Sequence, residues 1–228
     1  MNSSNVNKEI RVGIRPVLKE LGFSEFTLRT AWRYSSEKID VLNFQSFSTY
    51  LAEKVGCTTF SFCVRLGCSF KAIPQSFMVK QRDGQLRPAE YQCHFRLPLQ
   101  KSINQPTLRR ADVWYVEPLG GNLGEVIADT KRAIIEVGIP WFDRFQNSNE
   151  VLRTLLEESE GKDGFSGFGA ENSPIRNFMT GFIALSVGRL ELGQERIQTA
   201  LNSGCLKSFE PNMIAALKRL GRNSSVKS

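Results

Sequence analysis

TTFSFCVRLGCSF, residues 58–70, places Phe60, Phe62, Val64 and Leu66 at every second position, with Ser61, Cys63 and Arg65 between them. Alternation with period two over an aromatic and β-branched run predicts a strand with one face against a core and the other toward solvent. Working outward, TLRTAWRY (27–34), KIDVLNFQSF (38–47) and YQCHFRL (91–97) repeat the pattern, and ADVWYV (111–116) supplies a fifth candidate. Connections as short as SSEK suit hairpins, so an antiparallel sheet is expected; parallel pairing needs a crossover of about a dozen residues or more.

Helical spacing frames this sheet. Ile10, Ile14, Val17, Leu18 and Leu21 form an amphipathic stripe closed by Gly22, and Pro16 either starts a helix near Ile14 or kinks a longer one from Asn5. Asn122 with Glu125 and Asn147 with Glu150 read as capping boxes; Gly138 and Pro140 are expected to stop the first of these helices. GIPWFDRF then turns Trp141, Phe142 and Phe145 into the core. EGKDGFSGFGAEN (160–172) has the composition of a flexible connector, and Ser173-Pro174 opens a helix expected to end at Gly193. QERIQTALNS and PNMIAALKRL follow. The tetratricopeptide-like hairpin among these helices is expected to dock on the main domain, since a single unit cannot stack into an array. The expected fold is α+β: an antiparallel sheet of about five strands with helices on one face, plus a C-terminal helical hairpin or three-helix unit. Its divisions are a domain over 1–160, a Gly-rich linker over 161–172, a helical unit over 173–221 and a tail over 222–228.

A chain of 228 residues buries a genuine core without disulfide or metal staples. Its five cysteines are an odd number, expected to be free thiols in a reducing compartment. The start, MNSSNVNKEI, lacks the pattern of a secretory signal, and no apolar run approaches the roughly 18 residues of a membrane span. The expected location is therefore cytoplasmic, without membrane association. The net charge of +7 is unevenly placed: residues 1–64 carry 8 basic against 6 acidic side chains, 65–110 carry 9 against 2, and 111–228 carry 13 against 15. The middle segment, which includes Arg109 and the aromatic Phe77, thus holds the whole excess.

If YQCHFRL is a strand, Tyr91, Cys93, Phe95 and Leu97 share one face, and Gln92, His94 and Arg96 the other. Cys93 and the only histidine, His94, then point apart and cannot form a nucleophile–base pair. Cys63, on a polar strand face, is the remaining candidate partner for His94. Cysteine spacing does not match a structural zinc site, GGNLG (120–124) lacks a phosphate-loop pattern, and no cofactor is implied. Asp40, Asp83, Glu90 and Asp112 form no recognisable acid–base pair. What remains is a polar sheet face carrying Asn43, Gln45, Arg65, Gln92, His94 and Arg96, able to receive a carboxylate, a phosphate or an acidic protein patch.

KELGF, WRY, VLNFQ, FSFCVRLG, YQCHFRL, DVWYV and GIPWFDRF together resemble the bacterial domain of unknown function 4304 family over roughly residues 8 to 158. The resemblance implies an α+β domain with no assigned activity and no catalytic residue to transfer; Gln45, Cys93 and Arg96 match recurrent positions. The expected function is a non-catalytic protein-binding or accessory module, with an immunity factor as one form of it. The alternatives are nucleic-acid binding through residues 65–110 and an enzyme using Cys63 and His94. The oligomeric state is open.

Overall fold

In the computed structural model, which describes residues 1–75, 79–108 and 110–225, the longest ladder joins Lys38–Ser46 to Phe62–Phe70. Phe77 and Arg109 lie outside the described residues. Strands β1 (Glu25–Phe26), β2 (Thr30–Tyr34), β3 (Lys38–Ser46), β4 (Phe62–Phe70) and β7 (Phe95–Pro98) form an antiparallel sheet in the order β1-β2-β3-β4-β7. Helix α3 (Thr49–Val55) links β3 to β4, and a separate hairpin, β5 (Lys80–Arg82) and β6 (Gln85–Arg87), precedes β7 (Phe95–Pro98). The fold is α+β, as the alternation requires. The register Leu42↔Leu66 and Phe44↔Val64 points these side chains, with Phe62, Cys68 and Phe70, into one core.

The longer helices cover that face. Val6, Ile10, Ile14 and Leu18 line the inner side of an N-terminal helix built from α1 (Ser3–Glu9), a π turn (Ile10–Ile14) and α2 (Arg15–Glu20). The longer of the two expected helices therefore forms, and the π turn explains how it tolerates Pro16. A proline ring clashes with the carbonyl four residues back, here that of Val12, and in the π turn the Arg15 N–H bonds instead to the Ile10 carbonyl five residues back. The device recurs at Pro140. After α4 (Leu123–Ala133), a π turn (Ile134–Gly138) lets the Ile139 N–H reach the Ile134 carbonyl, and α5 (Ile139–Arg144) continues where a stop was expected. Asn122 does not cap α4 with its side chain, which accepts from Glu117 N–H and donates to the Tyr115 carbonyl. Asn147 does cap α6 (Ser148–Glu157), while Glu150 pairs with Arg144 and Arg153 rather than closing a box.

Two strand expectations are corrected. ADVWYV makes a single bridge, Phe62 with Trp114; beyond it the Tyr115 and Val116 N–H groups go to the side chains of Gln105 and Ser61, so no ladder forms. The two-residue β1 takes the fifth place in the sheet. In YQCHFRL, residues Glu90–Gln92 form a 3₁₀ turn and the strand begins only at Phe95.

The stretch over 160–172 is packed rather than a free connector. Phe165 and Phe168 enter the core, and Ser166 exchanges backbone hydrogen bonds with Arg96, covering the outer edge of β7. Composition alone does not distinguish a loose glycine-rich loop from a tightly wound one. Ser173 caps α7 (Pro174–Ser186), whose Phe178, Met179 and Ile183 extend the same core. Gly193, expected to end that helix, lies inside α8 (Leu190–Asn202). Helix α9 (Glu210–Ser225) runs through residues expected to be tail; residues 226–228 are outside the described ones. No helix among the described residues is long and apolar enough to cross a membrane.

Candidate functional site

At its Cys63 end the other face of the sheet is covered by Val55 of α3 with Leu108 and Val113; the longer helices leave that face open. Ile39 and Val41 of β3 point there with Trp32 of β2, and Cys93 completes the cluster. Cys93 reaches this face, rather than that of Phe95, because the preceding 3₁₀ turn breaks the period of two. Gly67 makes the space: a Cβ on it would lie 2.6 Å from the Cys93 sulfur.

Above this cluster stands the β5–β6 hairpin. Asp83 and Gly84 at its tip both have positive φ, 51° and 79°, the two-residue turn that matches the twist of a hairpin. The hairpin and the segment after it are tied to the sheet at two points: Trp32 Nε1 donates to the Pro88 carbonyl (2.8 Å) and the Tyr34 hydroxyl to the Leu86 carbonyl (3.1 Å). Arg87 lies over the Trp32 ring and pairs with Glu25.

Hairpin, 3₁₀ turn and sheet enclose an open cleft of about 820 Å³, within the usual range of ligand sites. Asn43, Gln45, Gln92 and Arg96, expected from the sequence as one polar face, all line it; Arg65 and His94 do not. Asn43 donates to the Thr30 hydroxyl (2.9 Å), Gln92 accepts from the Ala89 N–H (2.8 Å), and Arg96 is held by Glu90 through two hydrogen bonds (2.8 and 3.3 Å). The Gln45 side chain is exposed and has no hydrogen-bond partner among the described residues. Lys80, Gln81, Arg82 and Arg87 were missed as lining residues, although Asp83-Gly84 between polar runs is a strong hairpin signal.

Arg65 shares the open face but turns to Asp112 (3.2 Å), which Arg110 also holds. His94 is buried. Its Nδ1 accepts the Phe70 N–H (2.9 Å), its ring stacks on Phe70, and burial pushes its pKa down to about 3. It is neutral near pH 7 and takes up no further proton there. Cys63 does not meet it. His94 N–H bonds the Cys68 carbonyl, which places the histidine at the far end of β4, roughly 20 Å from Cys63 at about 3.3 Å per residue. Burial, with Asp112 beside it, pushes the Cys63 thiol up to about 11; Cys68 and Cys93 are raised as well, first by burial. None of these thiols is an activated nucleophile. Among the described residues no group of three or more His, Cys, Asp or Glu side chains is placed to hold a metal ion.

The covered face holds a second polar group that sequence reasoning overlooked. Lys38 and Asp40, both buried, pair with each other; Lys38 also donates to the Phe142 carbonyl (2.7 Å), and Asp40 accepts from Arg33 (2.8 Å). Arg33 continues to Asp143 (2.8 Å). This network locks β2 and β3 to α5. Its only signal was a Lys-x-Asp spacing that puts both charges on one strand face.

Comparison with known proteins adds one finding. No curated protein and no solved structure matches the chain. The model of a domain of unknown function, DUF4304, matches residues 14–144, a span that includes every residue lining the cleft. By that match, over more than half its length, the chain belongs to the DUF4304 family.

Proposed function

We propose that this chain is a bacterial, cytoplasmic, non-catalytic module that binds another protein, as an accessory or immunity-type factor, and that the open-face cleft receives its partner. The observation that carries this reading is the lining itself: Asn43, Gln45, Gln81 and Gln92 place side-chain amides around one cleft. Amides both donate and accept, which suits an exposed polypeptide backbone. The acid–base state of the neighbourhood supports the same reading, because burial holds His94 neutral and the Cys93 thiol protonated.

A nucleic-acid reading has less support. Arg65, Arg87, Arg96 and Arg110 of the basic segment each have a carboxylate partner, and Phe70 and Phe95 are buried in the core instead of offering stacking faces.

The test is quantitative capture from host extract with the full chain and with Gln45→Trp, which fills the cleft from an exposed position. A protein enriched by the wild type and lost with the variant supports the proposal. No enrichment above background, or the same proteins from both baits, overturns it.

A further inference from the structure

We infer that the cleft selects an acidic segment of its partner: an extended stretch with carboxylates at alternate positions, facing Lys80, Arg82 and Arg87. This rests on the reading of the cleft as a protein-binding surface and names the chemistry of what it binds.

The hairpin breaks a local rule of strand pairing. In the β5–β6 register Lys80 stands directly opposite Arg87, and like charges facing each other across an antiparallel pair disfavour it. Arg82, two residues from Lys80, falls on the same side of β5. The tight turn at Asp83 and Gly84 holds this register, so the repulsion is not relieved by a slip of one residue, which would also turn every side chain to the opposite face. An isolated two-stranded hairpin is marginal in water, so an unfavourable pair is not a neutral feature there.

Compensation within the chain is incomplete. Arg87 pairs with Glu25, yet its Nε is buried without a hydrogen-bond partner among the described residues. Arg82 has only the exposed Asp83 at 3.4 Å, and Lys80 has no carboxylate partner among the described residues. Beyond those two pairs, Glu90 is the acidic side chain in the lining itself, and Arg96 already holds it. A carboxylate-bearing ligand supplies the missing counter-charges.

Spacing narrows the class. Lys80 and Arg82 are separated along the strand by about 7 Å, the repeat at which alternate residues of an extended chain present side chains to one side. The amides of Asn43, Gln45 and Gln92 then lie within the same cleft for the backbone of that chain. A single nucleic-acid strand fits less well. Trp32 is buried, its Nε1 is taken by Pro88, and Arg87 covers its ring, which leaves Tyr91 as the exposed aromatic side chain of the lining.

The experiment measures binding of a labelled peptide alternating glutamate and threonine, the same peptide with lysine for glutamate, and oligothymidylate. Each probe is titrated against the wild type, the double variant Lys80→Glu/Arg82→Glu, and the charge-matched control Lys207→Glu/Lys218→Glu at exposed C-terminal positions. The expected result is saturable binding of the glutamate peptide at low salt that weakens as salt rises, a loss of about tenfold or more in the hairpin variant, and a change within about twofold in the control. Circular dichroism verifies that both variants fold.

Equal weakening in the two variants, no saturable binding of the glutamate peptide, or tighter binding of oligothymidylate overturns the inference. Partner capture separates this failure from that of the broader reading. If Gln45→Trp abolishes capture while Lys80→Glu/Arg82→Glu leaves it intact, the cleft binds protein without selecting acid.

Discussion

The covered and open faces of the sheet are built from the same strands but carry charge in different ways. On the covered face, Lys38 and Asp40 are surrounded by partners: each other, the Phe142 carbonyl and Arg33, which is fastened in turn to Asp143. On the open face, Arg96 and Arg87 each have one carboxylate, and Lys80 has none among the described residues. The difference follows from solvent. A charge out of water needs a complete set of hydrogen bonds and a counter-ion, whereas a charge beside water is solvated and its partner set can stay incomplete until a ligand arrives. Incomplete pairing is thus uninformative on a fully exposed surface and informative in a cleft.

Breaking the covered-face network gives the largest expected effect. Lys38→Met leaves Asp40 buried without its nearest cation and is expected to lower unfolding stability by about 3–5 kcal/mol in a urea titration. The double variant Lys38→Met/Asp40→Leu removes both charges and is expected to recover most of that loss. A double variant as unstable as the single would mean that the network contributes more than charge balance, and the contrast between the faces would weaken.

His94 tests the boundary between them. Burial lowers its pKa to about 3 in the folded chain, against 6.5 for the ordinary imidazole, so below pH 6.5 the unfolded state takes up a proton that the folded state refuses. Its stabilisation is complete above pH 6.5 and is lost as pH falls toward 3, by about 2 kcal/mol at pH 5. His94→Asn, whose side-chain oxygen can accept the Phe70 N–H, is expected to flatten this part of the pH–stability curve. Parallel curves for the two proteins would show that the histidine does not carry the acid sensitivity.

The smallest effect belongs to the open face. Gln45→Ala removes an exposed amide without a partner among the described residues and is expected to change stability by no more than about 0.5 kcal/mol. A larger loss would place Gln45 in the structural framework and disqualify it as a cleft residue held ready for a ligand.

Much of this contrast is legible residue by residue. Asn43 and Gln45 share a face because they are two apart on β3, and the same parity put Phe62, Val64 and Leu66 into the core. Period two misleads where it is not the backbone's own. ADVWYV alternates as a strand does, but Gln105 and Ser61 satisfy its backbone; YQCHFRL alternates too, but a 3₁₀ turn moves Cys93 across the sheet. Arg65 and His94 had the expected polarity, and distant groups took them: Asp112 for the arginine, the Phe70 N–H for the histidine. Asp83-Gly84 announced a hairpin, whereas its seat above Trp32 and Tyr34 depends on contacts more than fifty residues apart in the chain.

By itself the sequence determined the α+β class, the antiparallel pairing and the inward and outward sides of the central strands. Those follow from backbone geometry, which repeats every two or every 3.6 residues wherever the segment later lies. The tertiary structure decided that one sheet face would be sealed by helices over a buried ion network and the other roofed by a cationic hairpin. Which distant segment closes over a face sets both the burial of a charge and the partners within its reach, and no local period encodes that.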